Sequence, residues 1–158
     1  MKKTGKYFLI ITLLFTYCSK EPELFPKYFF DLNLTKKITG AEAKEFVNRL
    51  HFNSVTDERN EVGFYNGVKG NAIIYVTFYN DENVAKHNYE KMIKKISPEN
   101  SVFRDSTFIN ISGKIIYRTF GMGQFHYVFT SDKKLFWISA DINWSHDFIN
   151  EYLKLLDR

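Results

Sequence analysis

The sequence predicts an α+β fold, a mostly antiparallel sheet of about six strands with three covering helices in a layered sandwich. Its 158 residues, 44% of them apolar and 18% aromatic, can build one hydrophobic core. Two stretches before residue 101 and one after residue 144 repeat apolar residues with the period of a helix. From Ser101 the apolar period changes to two, which is typical of strands. These patterns place a single domain at residues 35–158.

The first predicted helix begins near Thr39. Thr39 and Glu42 have the spacing of a capping box. Four apolar residues then share one helical face: Ala43, Phe46, Val47 and Leu50.

Two strands and a second helix follow. The stretch "EVGFYNGVKGNAIIYVTFYNDE" carries two turn pairs, Asn66-Gly67 and Gly70-Asn71. Asn80 or Asp81 can cap the next helix. Its sheet-facing stripe is predicted to be Ala85, Tyr89, Met92 and Ile96.

The C-terminal third predicts a four-stranded meander and a last helix. The strands are separated by Ser112-Gly113, by Gly121-Met122-Gly123 and by Ser131-Asp132-Lys133. Ser145 is the predicted cap of the last helix. The apolar side of that helix comprises Phe148, Ile149, Tyr152, Leu155 and Leu156.

Residues 1–17 are predicted to be a signal peptide. "MKKTGK" is basic, and an apolar run of 11 residues, "YFLIITLLFTY", follows it. As a helix this run would span about 16 Å, whereas the hydrocarbon core of a bilayer is about 30 Å thick. A buried core helix is the alternative, and it accounts poorly for the three lysines ahead of the run.

The only cysteine, Cys18, stands where the apolar run gives way to "SKEPE". This junction resembles a bacterial lipoprotein signal peptide. The resemblance implies that Cys18 becomes the first mature residue, with a diacylglyceryl group on its thiol and an acyl chain such as palmitate on its amine. Phe15, Thr16 and Tyr17 depart from the usual Leu at −3 and small residue at −1. A secretory peptide cut elsewhere, or an uncleaved anchor, is the alternative.

Residues 18–34 are predicted to be the lipidated cysteine and a tether. Pro22 and Pro26 disfavour helix and sheet, and charged neighbours keep the segment solvated. Two or more acyl chains anchor a protein stably. Ser19, where some bacteria use Asp to retain lipoproteins at the inner membrane, favours the outer membrane of the cell envelope.

Residues 35–157 also resemble a family of uncharacterised exported bacterial α+β domains. The resemblance is carried by "ITGAEAKEFVNRLHF", by "AIIYVTFYNDENVAKHNYEKM" and by the meander "GKIIYRTF…HYVF…LFWISAD". The layout is similar to the PsbP-like sandwich as well. Both resemblances imply a fold and neither implies a functional site.

The charge of the chain argues against nucleic-acid binding. The net charge of +4 includes Lys2, Lys3 and Lys6 of the leader. Without residues 1–17, Lys and Arg fall to 19 against 18 acidic residues. No basic cluster remains, so no nucleic-acid partner is expected.

The sequence contains none of the recognisable catalytic or metal motifs. Its histidines are His51, His87, His126 and His146, and no two of them have metal-site spacing. Nucleophile-elbow and phosphate-loop motifs are missing as well. No catalytic residue, metal or cofactor is therefore expected. Asp105 and Asp141 could pair across the sheet as an acid/base couple, and this alternative stays open.

Aromatic and basic residues of the strands are the predicted binding residues. We expect Arg118 and His126 on the less apolar face of the meander, together with Tyr75 and Trp137 if the register allows. Such side chains on an open face suit recognition. Alternatively, a helix covers that face and the aromatics are half-buried.

The sequence therefore predicts a lipoprotein of the bacterial envelope, attached to the membrane through Cys18. Its domain is expected to bind a small ligand, or a protein of the envelope or of a host, without catalysis. The alternatives are an enzyme with dispersed Asp and His residues and a structural subunit of an envelope complex.

Overall fold

The structure is a computed structural model that describes residues 21–50, 57–96 and 102–158. The predicted signal peptide, Cys18 and His51 lie outside these residues. Eight strands and three helices follow one another along the chain: β1 Tyr28–Phe29, β2 Leu32–Thr39, α1 Gly40–Leu50, β3 Arg59–Gly67, β4 Gly70–Phe78, α2 Glu82–Lys95, β5 Arg104–Ile111, β6 Lys114–Gly121, β7 Gln124–Ser131, β8 Lys134–Asp141 and α3 Ser145–Leu156.

The strands form one open antiparallel sheet in the order β1-β2-β3-β4-β8-β7-β6-β5. This confirms the predicted α+β class, the antiparallel sheet and the three helices. The meander forms half of the sheet, and its last strand, β8, pairs with β4. The predicted count of about six strands was wrong, since the described residues form eight.

The two unpredicted strands precede α1. In β2 a bulge between Leu34 and Lys36 shifts the register against β3. A bulge interrupts the alternation of apolar and polar residues, so β2 carries no clear strand period. The short β1 pairs with β2 through a turn at Phe30 and Asp31, both with positive φ. Turn residues of this conformation are usually Gly or Asn, so the turn was not recognisable.

The predicted tether at residues 18–34 is folded from Leu24 onward, which corrects that boundary. Phe25 is buried against Gly63, with 5% of its surface exposed. The Tyr152 hydroxyl donates to the Leu24 carbonyl at 2.8 Å, and the Tyr65 hydroxyl donates to the Pro26 carbonyl at 3.1 Å. Proline at positions 22 and 26 predicts a free chain. Pro26 instead stands in a packed segment that leads into β1.

The helices cover both faces of the sheet. Tyr75 packs in the cluster under α1, and Trp137 packs in the cluster under α2. These two residues are direct cross-strand partners, so α1 and α2 lie on the same face. Residues of α3 pack with Ile74 and Ile138, which point to the other side. We call these the two-helix face and the α3 face.

The ends of the helices agree only in part with the predicted caps. The Asp81 carboxylate accepts from the backbone N–H groups of Asn83 and Val84, which confirms the cap of α2. Ser145 was predicted to cap α3, but it is the first residue of that helix. The N-cap is Trp144, and its side chain makes no capping hydrogen bond. The Ser145 hydroxyl instead accepts from the buried Tyr127 hydroxyl at 3.0 Å.

Candidate functional site

The four predicted binding residues lie on two faces of the sheet. Tyr75, His126 and Trp137 are on the two-helix face. Arg118 is on the α3 face, because it pairs directly with Tyr127, which belongs to the core beneath α3. The expectation that Arg118 and His126 share a face was therefore wrong. The strands β6 and β7 pair Arg118 with Tyr127 and Thr119 with His126.

His126 is buried, with 3% of its surface exposed, and both of its ring nitrogens have partners. The Trp137 indole N–H donates to Nδ1 at 2.9 Å. Nδ1 is therefore the acceptor, and the proton resides on Nε2, which donates to the Gly121 carbonyl at 3.0 Å. Burial lowers the pKa of His126, so the ring is neutral near pH 7. This geometry fixes one tautomer and leaves neither nitrogen available to a substrate.

Phe103 encloses this histidine from the side of the loop before β5. Its ring meets the His126 ring edge-on at 4.9 Å and the Trp137 ring at 5.5 Å. It also lies against Gly121, where an added Cβ would overlap the Phe103 ring. We call Phe103, Gly121, His126 and Trp137 the histidine cluster. This packing agrees with the alternative that a helix covers this face of the sheet and that the aromatic residues stabilise the fold.

Tyr75 stands beside this cluster, under α1. Its ring stacks on Phe46 at 6.2 Å, and Phe46 meets Phe64 edge-on at 5.4 Å. Tyr75 is half-buried, and burial raises its pKa to about 12. The phenol is therefore neutral at physiological pH, and it contributes apolar surface more than charge.

Arg118 differs from these residues because none of the described acidic side chains pairs with its charge. Its guanidinium stacks on the Phe125 ring, with Cζ at 5.0 Å from the centroid. Its Nε is buried, and among the described residues it is the only buried side-chain N or O atom without a hydrogen-bond partner. No ion pair of the described residues includes Arg118. The side chain as a whole is half-buried, so part of the guanidinium meets solvent.

A second arginine continues this arrangement on the α3 face. Phe120 and Phe125 are cross-strand partners, and their rings meet edge-on at 5.6 Å. The Arg104 guanidinium lies over Phe120 at 5.0 Å. Its own partner, the exposed Asp105 carboxylate, is at 3.9 Å, which is the outer limit of an ion pair. We call Arg104, Arg118, Phe120 and Phe125 the arginine cluster.

The two carboxylates considered as an acid/base couple are far apart in the sheet. Asp105 is exposed on β5, which is an edge strand, and Asp141 ends β8. Strands β6 and β7 separate them, so the proposed pairing was wrong. Both oxygens of Asp141 are used for structure. One accepts from the Asn71 backbone N–H at 2.8 Å, and the other accepts from the Gln124 amide at 2.9 Å.

Within residues 21–50, 57–96 and 102–158, no three His, Cys, Asp or Glu side chains are grouped so that they could hold a metal ion. Across the same ranges, the helices are too short or too polar to cross a membrane.

No protein-family model and no curated protein sequence matches this chain. One solved structure does, a GTP binding regulator from Thermotoga maritima. The two share 13% sequence identity with a TM-score of 0.54, over 80% of this chain and 78% of the other. At this identity the similarity shows a common fold.

Sequence reasoning found Arg118 but missed the rest of its cluster. The stretch "RTFGMGQF" contained the necessary information, because a two-residue turn at Met122-Gly123 makes Phe120 and Phe125 partners. Arg104 could not have been placed, since a bulge separates it from the regular part of β5.

Proposed function

We propose that this protein is a membrane-anchored lipoprotein of the bacterial envelope, of the outer membrane rather than the inner, whose domain binds a ligand without transforming it. The arginine cluster is its binding site. The observation that carries the proposal is the half-buried Arg118, which stacks on Phe125 and forms no ion pair with any of the described residues.

The desolvated charge of Arg118 supports binding of an anion. A guanidinium taken partly out of water loses hydration energy, and this loss is normally offset by an acidic partner. An anionic group on a ligand would supply that partner at the solvent-facing part of the guanidinium. Guanidinium groups bind carboxylates and phosphates through paired N–H donors, so these are the expected ligand groups. Phe120 and Phe125 add an apolar surface beside the charge.

The other titratable candidates favour binding over catalysis. A general acid or base must reach a reacting atom with an available proton or lone pair. Both nitrogens of His126 and both oxygens of Asp141 already serve the protein's own structure. An enzyme built on these residues would have to break that structure first.

The anchor is supported by the sequence around Cys18 and by the position of the folded domain. The structure has the chain packed from Leu24 onward, six residues after the cysteine. That spacing leaves a short link and no further domain between the lipid and the core. Intact-mass measurement of the membrane-extracted protein tests this part. Cys18 as the first residue, carrying added lipid mass, supports the anchor, and an unmodified chain that starts elsewhere refutes it.

Thermal unfolding with a panel of anions tests the binding site. The panel comprises inorganic phosphate, citrate, an acidic peptide and GTP, the last because the Thermotoga maritima protein with this fold is a GTP binding regulator. At a concentration of 100 times Kd, a ligand should raise Tm by roughly 5 to 10 °C. Arg118→Met should abolish the increase.

Arg59 provides the matched control. It stacks on Phe78 at 3.7 Å, as Arg118 does on Phe125, but it also lies 3.7 Å from the Glu61 carboxylate. Arg59→Met should leave the ligand-induced increase intact. If both variants lost the ligand-induced increase in Tm equally, the anion would be binding through the overall positive charge of the protein. The proposed site would then be rejected.

A further inference from the structure

The end of the sheet that carries the turns after β3, β6 and β8 exposes an unusual share of apolar side chains. The described residues include eight large hydrophobic side chains that are exposed. Four of these stand at this end: Val68 with 107% of its surface exposed, Val102 with 72%, Met122 with 71% and Ile142 with 48%. We call these four residues the apolar ridge.

The strand order places the four residues of the ridge in a row. Val68 lies in the turn between β3 and β4, Ile142 follows β8, and Met122 lies in the turn between β6 and β7. Val102 precedes β5, the last strand of the sheet. Neighbouring strands are about 4.8 Å apart, so successive residues are about 7 Å apart and the row is about 22 Å long.

Three of the loops that carry the ridge, those of Val68, Met122 and Ile142, are fastened to one another. Asp141 accepts hydrogen bonds from Asn71 and from Gln124, which joins the ends of β4, β7 and β8. The Trp144 indole N–H donates to the Lys69 carbonyl at 2.7 Å and so holds the loop after β8 against the turn of Val68. The apolar side chains therefore stand on a preorganised support, which lowers the cost of ordering on binding.

The N-terminal segment leaves the domain at the opposite end. The Glu21 carboxylate lies 4.0 Å from the Lys134 ammonium, at the start of β8, whereas Ile142 follows the end of that strand. From Lys134 to Asp141, β8 advances seven residues and therefore covers about 23 Å. Two residues, Ser19 and Lys20, lie between Cys18 and Glu21, and the three steps from Cys18 to Glu21 reach at most about 11 Å. A lipid on Cys18 would keep the Glu21 end within about 11 Å of the bilayer, whereas the ridge lies at the other end of the sheet, about 23 Å away along β8.

From this arrangement we infer that the apolar ridge is a docking surface for a partner protein, at the end of the domain that faces away from its own membrane. The inference rests on the proposed anchor at Cys18. Because the ridge lies about 23 Å from the end of the domain that the lipid tethers, its apolar side chains are presented to a protein with an apolar groove of about the same length rather than to the anchoring leaflet. Four side chains expose a few hundred Å², whereas stable complexes bury about 800 Å² per partner. The ridge is therefore the apolar centre of a larger, partner-specific contact rather than a self-sufficient dimer interface.

Site-specific photo-crosslinking of the full-length protein in its own cells tests the docking surface. A photoreactive amino acid is placed at Met122 or Ile142, and at Val84 as the control. Val84 is apolar and 44% exposed, but it lies in the first turn of α2. We expect the same protein adduct from Met122 and from Ile142, and at most a trace from Val84. Adding Val68→Asp should reduce that adduct about tenfold, because a charge opposite an apolar groove weakens binding strongly. Lipid adducts, adducts with a second copy of the chain, or equal yields from Val84 would overturn the inference.

A second experiment separates the docking surface from the anchor. The lipidated Met122→Cys protein is labelled with a polarity-sensitive dye and reconstituted in vesicles of phosphatidylethanolamine and phosphatidylglycerol. The dye should keep its aqueous emission, and a blue shift with quenching by spin-labelled lipid would place the ridge in the bilayer and refute the inference. If the protein fails to associate with vesicles, the proposed anchor is wrong. The cross-linking experiment still shows whether the apolar ridge binds a partner protein.

Discussion

His126 and Arg118 lie on neighbouring strands and share the chemistry of a basic, planar side chain packed on aromatic rings, but their surroundings are opposite. His126 is buried on the two-helix face, and both of its nitrogens have partners within the protein. Arg118 is half-buried on the α3 face, and its Nε has no hydrogen-bond partner in the part of the chain that the structure describes. Phe103 and Trp137 enclose the histidine, while Phe125 supports the arginine from one side.

The difference separates structural from functional use of a polar side chain. A buried polar group whose hydrogen bonds are complete specifies the fold, and removing it leaves its partners unsatisfied. A desolvated charge without a counterpart destabilises the free protein and gains when an anion arrives. We therefore assign His126 to the fold and propose Arg118 as a binding residue, and the following changes probe that distinction.

The largest effect is expected from His126→Ala. The change leaves the Trp137 indole N–H and the Gly121 carbonyl without partners and opens a cavity beside Phe103. We expect a loss of about 3 kcal/mol or more in the free energy of unfolding, measured by urea denaturation. Ligand binding by the surviving folded fraction should be unchanged. A loss below about 1 kcal/mol would mean that the histidine cluster does not hold the fold together.

Lower pH should weaken the folded state through the same histidine. Burial lowers the pKa of His126 in the folded state, so the unfolded chain binds the proton more readily. The stability contributed by the neutral ring is complete above the unfolded pKa of about 6.5 and declines as the pH falls toward the folded pKa. The slope should approach at most about 1.4 kcal/mol per pH unit. Denaturation at several pH values checks this, and His126→Gln should lack this part of the dependence.

Arg118→Met should change stability least. The substitution removes an unpaired charge while keeping a flexible apolar side chain over Phe125, so the free energy of unfolding should shift by less than about 1 kcal/mol in either direction. Anion binding should be lost at the same time. A large destabilisation would show that Arg118, like His126, has a structural role.

The strongly periodic elements of the fold were predictable. The meander, the β3–β4 hairpin and the three helices follow from spacing and turn residues that act locally. The first two strands were not predictable, because β2 is interrupted by its bulge and the Phe30-Asp31 turn lacks the glycine that marks most two-residue hairpin turns. Phe25 is buried by contacts with distant β3, so no local pattern could separate it from a tether.

The candidate site was predictable in composition but not in arrangement. Alternation along β6 and β7 identified Arg118 and His126 as polar residues among apolar ones. Which face each one occupies depends on the pairing of Arg118 with Tyr127, a register that the sequence constrains only through the Met122-Gly123 turn. The closure of His126 by Trp137 and Phe103 depends on segments from β8 and from before β5, which only the tertiary structure brings together.

Side-chain NMR of the two residues during one titration tests the contrast between them most directly. Nitrogen-15 spectra resolve the Arg118 Nε–H group and the two ring nitrogens of His126, and the anion that raised Tm most is added stepwise. We expect a saturable shift of the Arg118 resonance, while the His126 nitrogens keep the values of a neutral ring protonated on Nε2. Movement of the His126 resonances with an unchanged Arg118 signal would contradict this expectation, because the binding site would then lie in the histidine cluster.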